Sequence, residues 1–233
     1  MINETNISGY YTTAQVARIL GLSSHEVARL SKEEKLKSIR SAGNTLLLDA
    51  TEVQLFASMR QGKGRPLLPS IAWAALWILS NLEVDWLSYQ QLRRLKERLA
   101  NVSAQDLVWQ IRNRSTTRRY RASESFFDKL KDELILSGKS GNLDGFSLTQ
   151  QSQVIEGYTS DDFEKLVKKY HLFEDTGGNL TTHKALGDKT PINQADTAPI
   201  AVVAADLSCS LDSRERQAGL QVLQGLLNEN RSD

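Results

Sequence analysis

The residues of this sequence best suited to a chemical role are cations that lie close together along the chain. Residues 86–121 contain nine Lys and Arg against two Asp and Glu, and they include the runs RNR and RRYR. Cations at this density favour phosphate oxygens, because neutralising phosphates releases the counterions of a nucleic acid. The segment predicts a phosphate-facing patch of Arg112, Arg114, Arg118, Arg119 and Arg121. An ordinary solvated helical surface and a surface for an acidic partner remain the alternatives.

A second basic segment, RQGKGRP, lies at residues 60–66. Its two glycines and its proline break helical structure, which indicates a domain boundary near residue 62. Lys63 and Arg65 make this segment a short basic linker of the kind that follows a DNA groove.

Charge is divided unevenly along the chain, although the formal net charge is only +1. Residues 1–121 hold 18 Lys and Arg against 10 Asp and Glu, whereas residues 122–233 hold 11 against 18. Such a division favours a front part that binds nucleic acid and a rear part with a different role.

Metal and disulfide chemistry find no support in the cysteine and histidine content. Cys209 is the single cysteine, so it has no partner for an internal disulfide. The histidines at positions 25, 171 and 183 are scattered and do not form a ligand cluster. We therefore predict no metal site and no cofactor.

Catalysis finds no support in the motifs. SGKS at 137–140 is not a phosphate-binding loop, because Glu133 stands where that loop requires a glycine. The carboxylates of Glu156, Asp161 and Asp162 are interpreted as residues of a helix start. No catalytic residue is assigned, and the chain is predicted not to be an enzyme.

Two short helices that share a small core are predicted around Gly21. Thr12 and Gln15 form a capping-box pattern before a helix over 13–20, and Gly21 ends that helix because glycine readily adopts the left-handed conformation. Ser23 or Ser24 caps the next helix. The apolar residues of the pair have the spacing of a helix-turn-helix: Val16, Ala17, Leu20, Leu22, Val27 and Leu30.

A hairpin and a third helix are predicted to cover that core. LKSIRSAGNTLLLD contains two strand-like runs around Ala42, Gly43 and Asn44. Asp49 then caps a helix that begins at Ala50.

Residues 10–59 resemble the winged helix-turn-helix of excisionase and MerR-type regulators, in the pattern YTTAQVARILG, second helix, basic link, hairpin and capped helix. The resemblance implies binding to double-stranded DNA, with the second helix in the major groove and the hairpin as a wing. It implies DNA contacts from the second helix and the wing: Ser24, His25, Arg29, Lys32, Arg40, Ser41 and Asn44. The second helix departs from the family pattern, since it begins Ser-Ser-His-Glu and Glu26 repels phosphates.

Further helices are predicted after the linker. The apolar run at 70–80 is too short to span a membrane and is interpreted as a core helix, with an oligomer interface as the alternative. Helices starting at Ser88 and Ser103 precede a basic strand over 116–123 and a further helix, which together suggest a second winged-helix-like unit.

The rear of the chain is predicted to be a small α+β unit and a helical pair. VIEGY is a strand, DDFEKLVKKYHLF a helix, LFEDTGGNLTTHKA a hairpin, and the last 34 residues two amphipathic helices. The predicted fold is mainly α with small β-hairpins, of the α+β class. The predicted divisions are 1–61, a linker at 62–68, 69–136, 137–186 and 187–233.

Residues 65–233 resemble the AbiEi-like antitoxin and autorepressor proteins that pair with nucleotidyltransferase toxins, through segments that include GRPLLPSIAWAALWILS, VIEGY and APIAVVAADLSCSLDSRERQAG. The resemblance implies a repressor of its own operator that neutralises a toxin without covalent chemistry. An excisionase-like architectural protein of a mobile element and a protein-interaction adaptor are the alternatives. We expect a cytoplasmic protein without a membrane partner, and a homodimer is an open alternative to a monomer.

Overall fold

The computed structural model describes residues 9–33, 35–40, 43–60, 62–149, 153–188, 190–195 and 197–231. The fold is mixed α+β, and the chain divides into two compact units, Met1–Arg60 and Gln61–Asp233. No described helix has the length and apolar character needed to cross a bilayer.

The first unit combines a three-stranded antiparallel sheet with helices. Its elements in chain order are β1 (Tyr10–Thr12), α1 (Thr13–Leu20), α2 (Ser24–Lys32), β2 (Ser38–Arg40), β3 (Leu46–Asp49) and α3 (Ala50–Met59). The sheet order is β1-β3-β2. The predicted hairpin is therefore present as β2 and β3, in a register that pairs Ile39 with Leu47.

Helix α1 begins and ends, and helix α2 begins, where the sequence patterns predict. The Thr12–Gln15 capping box is present, with Gln15 N–H donating to Thr12 Oγ1 over 3.3 Å. Gly21 ends α1 in the left-handed conformation, at φ 60° and ψ 40°. The apolar faces of the unit meet in one buried cluster: Val16, Leu20, Val27, Leu30, Leu36, Leu48 and Val53.

The second unit contains seven helices and five strands among its described residues. The helices are α4 (Pro69–Leu79), α5 (Tyr89–Leu99), α6 (Ala104–Gln110), α7 (Phe127–Glu133), α8 (Phe163–Tyr170), α9 (Ile200–Leu207) and α10 (Ser213–Asn230). The strands are β4 (Ser115–Arg121), β5 (Ile135–Leu136), β6 (Ile155–Tyr158), β7 (Phe173–Glu174) and β8 (Leu180–Ala185).

The five strands form one mixed sheet in the order β5-β6-β8-β4-β7. Only β6 and β8 are parallel, and β4 pairs antiparallel with β8 over six residues, from Ser115–Ala185 to Tyr120–Leu180. The predicted hairpin over 172–185 is therefore wrong, because β4 lies between β7 and β8. Gly178 permits this order, since a Cβ there would lie 2.0 Å from the carbonyl oxygen of Tyr120.

Apolar clusters lie against this sheet. One joins Tyr158 and Ala185 to α4, α6, α9 and α10, and the other joins Tyr120, Ile155 and Leu180 to α7 and α8. The prediction that α4 is a core helix is confirmed, since seven of its residues are buried. The predicted divisions after residues 136 and 186 differ from the structure, because β4 and β8 come from different predicted units and share one sheet. For the same reason, β4 does not form the wing of a second winged-helix-like unit.

Candidate nucleic-acid interface

Helix α2 presents an apolar face to the core and a polar face to solvent. Ser23 caps it in a second capping box, in which Glu26 N–H donates to Ser23 Oγ over 3.2 Å. Val27 and Leu30 are buried. The four predicted α2 contacts are all exposed: Ser24, His25, Arg29 and Lys32.

Two carboxylates reduce the positive charge of this polar face. Arg29 Nη1 lies 2.8 Å from Glu33 Oε1, in a surface pair whose side chains are 54% and 36% exposed. Exposed pairs of this kind contribute little to stability, so phosphate oxygens can replace Glu33 at little cost.

Glu26, which is predicted to repel phosphates, forms hydrogen bonds with Ser23 at the start of α2. Its carboxylate accepts hydrogen bonds from the Ser23 backbone N–H over 3.1 Å and from Ser23 Oγ over 2.9 Å. The backbone N–H of Ser23, followed by its hydroxyl, lowers the pKa of Glu26. The carboxylate is therefore charged at neutral pH and lies beside the positive end of the helix dipole.

The predicted wing residues belong to the β2–β3 connection. Asn44 is exposed and has a left-handed backbone at φ 57°, as the turn prediction requires. Arg40 is the last residue of β2. The Arg40 side chain and the whole of Ser41 lie outside the described residues.

Lys63 and Arg65 are exposed, but their backbone is not a loose linker. Lys63 N–H donates to Asp106 Oδ1 over 2.6 Å, and the Lys63 carbonyl accepts from Gln110 Nε2 over 3.0 Å. Gly62 packs so closely on α6 that a Cβ there would lie 2.3 Å from the Gln105 carbonyl oxygen. The predicted linker is thus bound to the second unit.

The five-arginine patch is wrong at Arg114, which is 4% exposed. Its guanidinium forms an ion pair with Asp206, and that carboxylate also accepts from Ser137 Oγ over 2.5 Å and Tyr158 Oη over 3.1 Å. Burial alone would lower the pKa of Arg114, but its interactions with Tyr158 and with the Asp206 carboxylate outweigh that effect and raise the pKa. Arg114 is therefore a core cation and does not reach phosphate.

The other arginines of the predicted patch are distributed around β4. Arg112 stacks 3.6 Å above the Trp109 ring, and its partial burial lowers its pKa. Arg118 pairs with Glu174 over 3.4 Å, and Arg121 pairs with Asp175 over 2.7 Å. Arg119 is half-buried. Glu174 belongs to the edge strand β7, and Asp175 follows that strand directly. The structure therefore does not unite these five arginines into one cationic surface.

Sequence reasoning missed a different set of cations beside Lys63. An open depression of about 550 Å³ is lined by Lys63, Arg94 and Arg98, together with Glu97 and Asp106. Arg98 Nε donates to Gln110 Oε1 over 2.8 Å, which holds this side chain against α6. The spacing of Arg94 and Arg98 along α5 was the available signal, because residues four apart share one helix face.

Sequence reasoning also missed a chain of hydrogen bonds across β4, β8 and β6, in which His183 and Glu156 are buried and Thr117 is exposed. His183 Nε2 lies 3.0 Å from Glu156 Oε1, and His183 Nδ1 lies 2.9 Å from Thr117 Oγ1. Glu156 is buried in β6, so its predicted place at a helix start is wrong. Among the described residues, no group of three or more His, Cys, Asp or Glu could hold a metal ion.

Comparisons with known proteins identify no relative. The chain matches no protein-family model, no curated protein and no solved structure.

Proposed function

We propose that the first unit binds double-stranded DNA as a winged helix-turn-helix and that the protein is a sequence-specific transcriptional repressor. The observation that carries this proposal is the polar face of α2, where Ser24, His25, Arg29 and Lys32 are all exposed beside the β2–β3 hairpin. An α-helix with its side chains is about 10–12 Å in diameter, which suits a major groove about 12 Å wide.

The capped C-terminus of α1 and the capped N-terminus of α2 support this role. They hold α2 at a fixed angle to α1 through the Gly21 turn, with Leu22 N–H donating to the Ala17 carbonyl over 2.9 Å. A rigid helix orientation is what direct reading of base edges requires, since each base contact depends on a distance of about 3 Å. Arg29 and Lys32 are assigned to phosphates, and Ser24 and His25 to base edges.

We further propose that residues 61–233 bind a protein partner, in the manner of the antitoxin of a nucleotidyltransferase toxin. The excess of acidic residues over 122–233, 18 against 11, supports a basic partner surface.

The experiment measures binding of the full chain to duplex DNA from the region upstream of its own gene, by fluorescence anisotropy over 50–200 mM salt. About six phosphate contacts give a log–log salt slope near −5. Arg29→Ala/Lys32→Ala should make that slope about two units less steep and weaken binding on every sequence. His25→Ala should instead reduce the preference for the specific site.

A matched control is Lys165→Ala/Lys168→Ala, which removes the same charge from exposed positions of α8. Lys165 also has a carboxylate four residues away, Asp161, as Arg29 has Glu33. Equal loss of DNA binding in both double variants would overturn the assignment to α2.

A protein-interaction adaptor is the second candidate, and the carboxylates of Glu26 and Glu33 on α2 favour it. An adaptor would show no salt-dependent DNA binding. An excisionase-like protein would bind DNA and also bend it, which gel mobility of circularly permuted duplexes measures.

A further inference from the structure

A cationic surface lies on the second unit, where α5 approaches residues 62–66. Four exposed cations form it, and we call it the Arg98 surface: Lys63, Arg65, Arg94 and Arg98. Arg94 and Arg98 are four residues apart and so share one face of α5, a helix with four Lys and Arg against one Glu. Lys63 lines the same open depression as these two arginines. Cations from separate segments of the chain therefore meet on one surface.

The buried side chain of Gln110 holds both parts of the Arg98 surface. Gln110 is 6% exposed, and its Oε1 accepts from Arg98 Nε over 2.8 Å while its Nε2 donates to the Lys63 carbonyl over 3.0 Å. Arg98 Nη2 also donates to the Arg65 carbonyl over 3.4 Å. Gly64 permits this arrangement, since its φ is 105° and a Cβ there would lie 2.4 Å from Gln110 Nε2. The segment and the Arg98 guanidinium are therefore in place before a ligand arrives, which lowers the ordering cost of binding.

Within the described ranges, none of the four cations of the Arg98 surface forms an ion pair. The two carboxylates that line the depression are engaged with other groups. Glu97 Oε1 lies 3.0 Å from Arg93 Nε. Asp106 accepts from the Lys63 backbone N–H over 2.6 Å and from Ser103 Oγ over 2.8 Å. The side-chain charges of the surface therefore remain available to an anionic ligand.

We propose that the Arg98 surface binds the phosphate backbone of double-stranded DNA. This inference rests on the proposed function and deepens it, because it adds phosphate contacts from the second unit to the DNA that α2 is proposed to read. Guanidinium groups donate to phosphate oxygens in bidentate pairs, and an ammonium group pairs with phosphate as a point charge. A duplex carries one negative charge for about every 1.7 Å of its axis, so it can engage several cations of one surface at once. Contacts to phosphates raise affinity for every sequence alike.

The test compares DNA binding by the full chain and by Arg94→Gln/Arg98→Gln, with fluorescence anisotropy of a labelled upstream duplex and of an unrelated duplex over 50–200 mM salt. Glutamine removes the charge of each side chain and keeps a hydrogen-bonding amide. Loss of two phosphate contacts should make the log–log salt slope about two units less steep and weaken binding of both duplexes by about tenfold or more. The preference for the upstream duplex should stay the same, because phosphates carry no sequence information.

Two further variants are the controls. Arg94→Lys/Arg98→Lys keeps both charges, so its salt slope should equal that of the original chain. Lys165→Gln/Lys168→Gln removes the same charge from exposed positions of α8 and should bind both duplexes as the original chain does. All these substitutions change exposed side chains, so circular dichroism and the melting temperature should show a native fold in each variant.

Three results would overturn the proposal. One is an unchanged salt slope in Arg94→Gln/Arg98→Gln, and another is an equal loss of binding in the α8 control. The third is binding of labelled poly-glutamate that is as tight as binding of a duplex and depends on the same two arginines. That result would assign the Arg98 surface to an acidic protein.

The α2 variant Arg29→Ala/Lys32→Ala, measured in parallel, separates the Arg98 surface from the proposed reading helix. If only the α2 variant weakens binding, α2 contacts DNA and the Arg98 surface does not. If only Arg94→Gln/Arg98→Gln weakens binding, the Arg98 surface contacts DNA and the assignment to α2 is wrong. If the original chain binds neither duplex, both assignments are wrong.

Discussion

Replacing Asp206 by alanine leaves the guanidinium of Arg114 buried without its counter-ion. The two residues are 3% and 4% exposed, so water does not take the place of the lost carboxylate. Ser137 Oγ and Tyr158 Oη lose their acceptor at the same time. The variant therefore leaves three hydrogen-bond donors without their acceptor in the core of the second unit.

The expected cost follows from this geometry. Removing one partner of a buried ion pair costs about 3–5 kcal/mol, because the remaining charge stays desolvated. In a unit of this size, about 1 kcal/mol shifts the melting temperature by about 2–4 °C. Asp206→Ala should thus lower the melting temperature of the second unit by about 6–20 °C.

Tryptophan fluorescence measures this shift selectively, because all four tryptophans lie within residues 61–233. The control is Asp161→Ala, which removes a pair to Lys165 whose side chains are 70% and 55% exposed, and it should shift the transition by about 1–2 °C. Arg114→Met/Asp206→Leu removes both charges and should recover most of the loss. A shift within about 2 °C for Asp206→Ala would refute a buried, mutually dependent pair.

Three smaller perturbations test other features. Gly21→Ala should destabilise the first unit by about 1 kcal/mol, because alanine is strained at φ 60°, and denaturant unfolding followed by far-UV circular dichroism should show it. Backbone hydrogen bonds from Glu215 and Arg214 lower the pKa of Asp212, so its charge stabilises α10 above about pH 4 and that contribution is lost as pH falls through the folded-state pKa. Unfolding curves of Asp212→Asn and the original chain should accordingly differ at pH 7 and converge towards pH 3. Burial raises the pKa of the Cys209 thiol to about 11, so alkylation by iodoacetamide should rise about tenfold per pH unit between pH 8 and 10 in the native protein; a rate that levels off near pH 8.5 would contradict this.

Local elements were predictable from the sequence because their signals are local. Capping residues Thr12, Ser88 and Ser103 stand directly before the helices that they start. Gly21 marks the end of α1 by its backbone freedom alone. Such signals act over three or four residues and need no knowledge of the rest of the fold.

The sheet of the second unit was not predictable in the same way. The run from Phe173 to Ala185 has the pattern of a hairpin, but β4 inserts between its strands from more than 50 residues earlier. Nothing within the run signals that insertion, because backbone pairing depends on tertiary packing.

The predicted contacts on α2 are exposed, whereas Arg114 of the predicted arginine patch is buried. Charge density does not distinguish Arg114 from Arg118, since both belong to one basic segment. The available signal was Asp206, a carboxylate in the otherwise apolar run IAVVAADL, which requires a partner if that helix is buried.

The 92 residues that separate Arg114 from Asp206 bear on synthesis of the chain. The first unit has a buried cluster built from its own residues, so we expect it to fold while later residues are still on the ribosome. The second unit cannot complete its core until α9 has left the exit tunnel, so nascent chains that end before Leu207 should be protease-sensitive beyond residue 60.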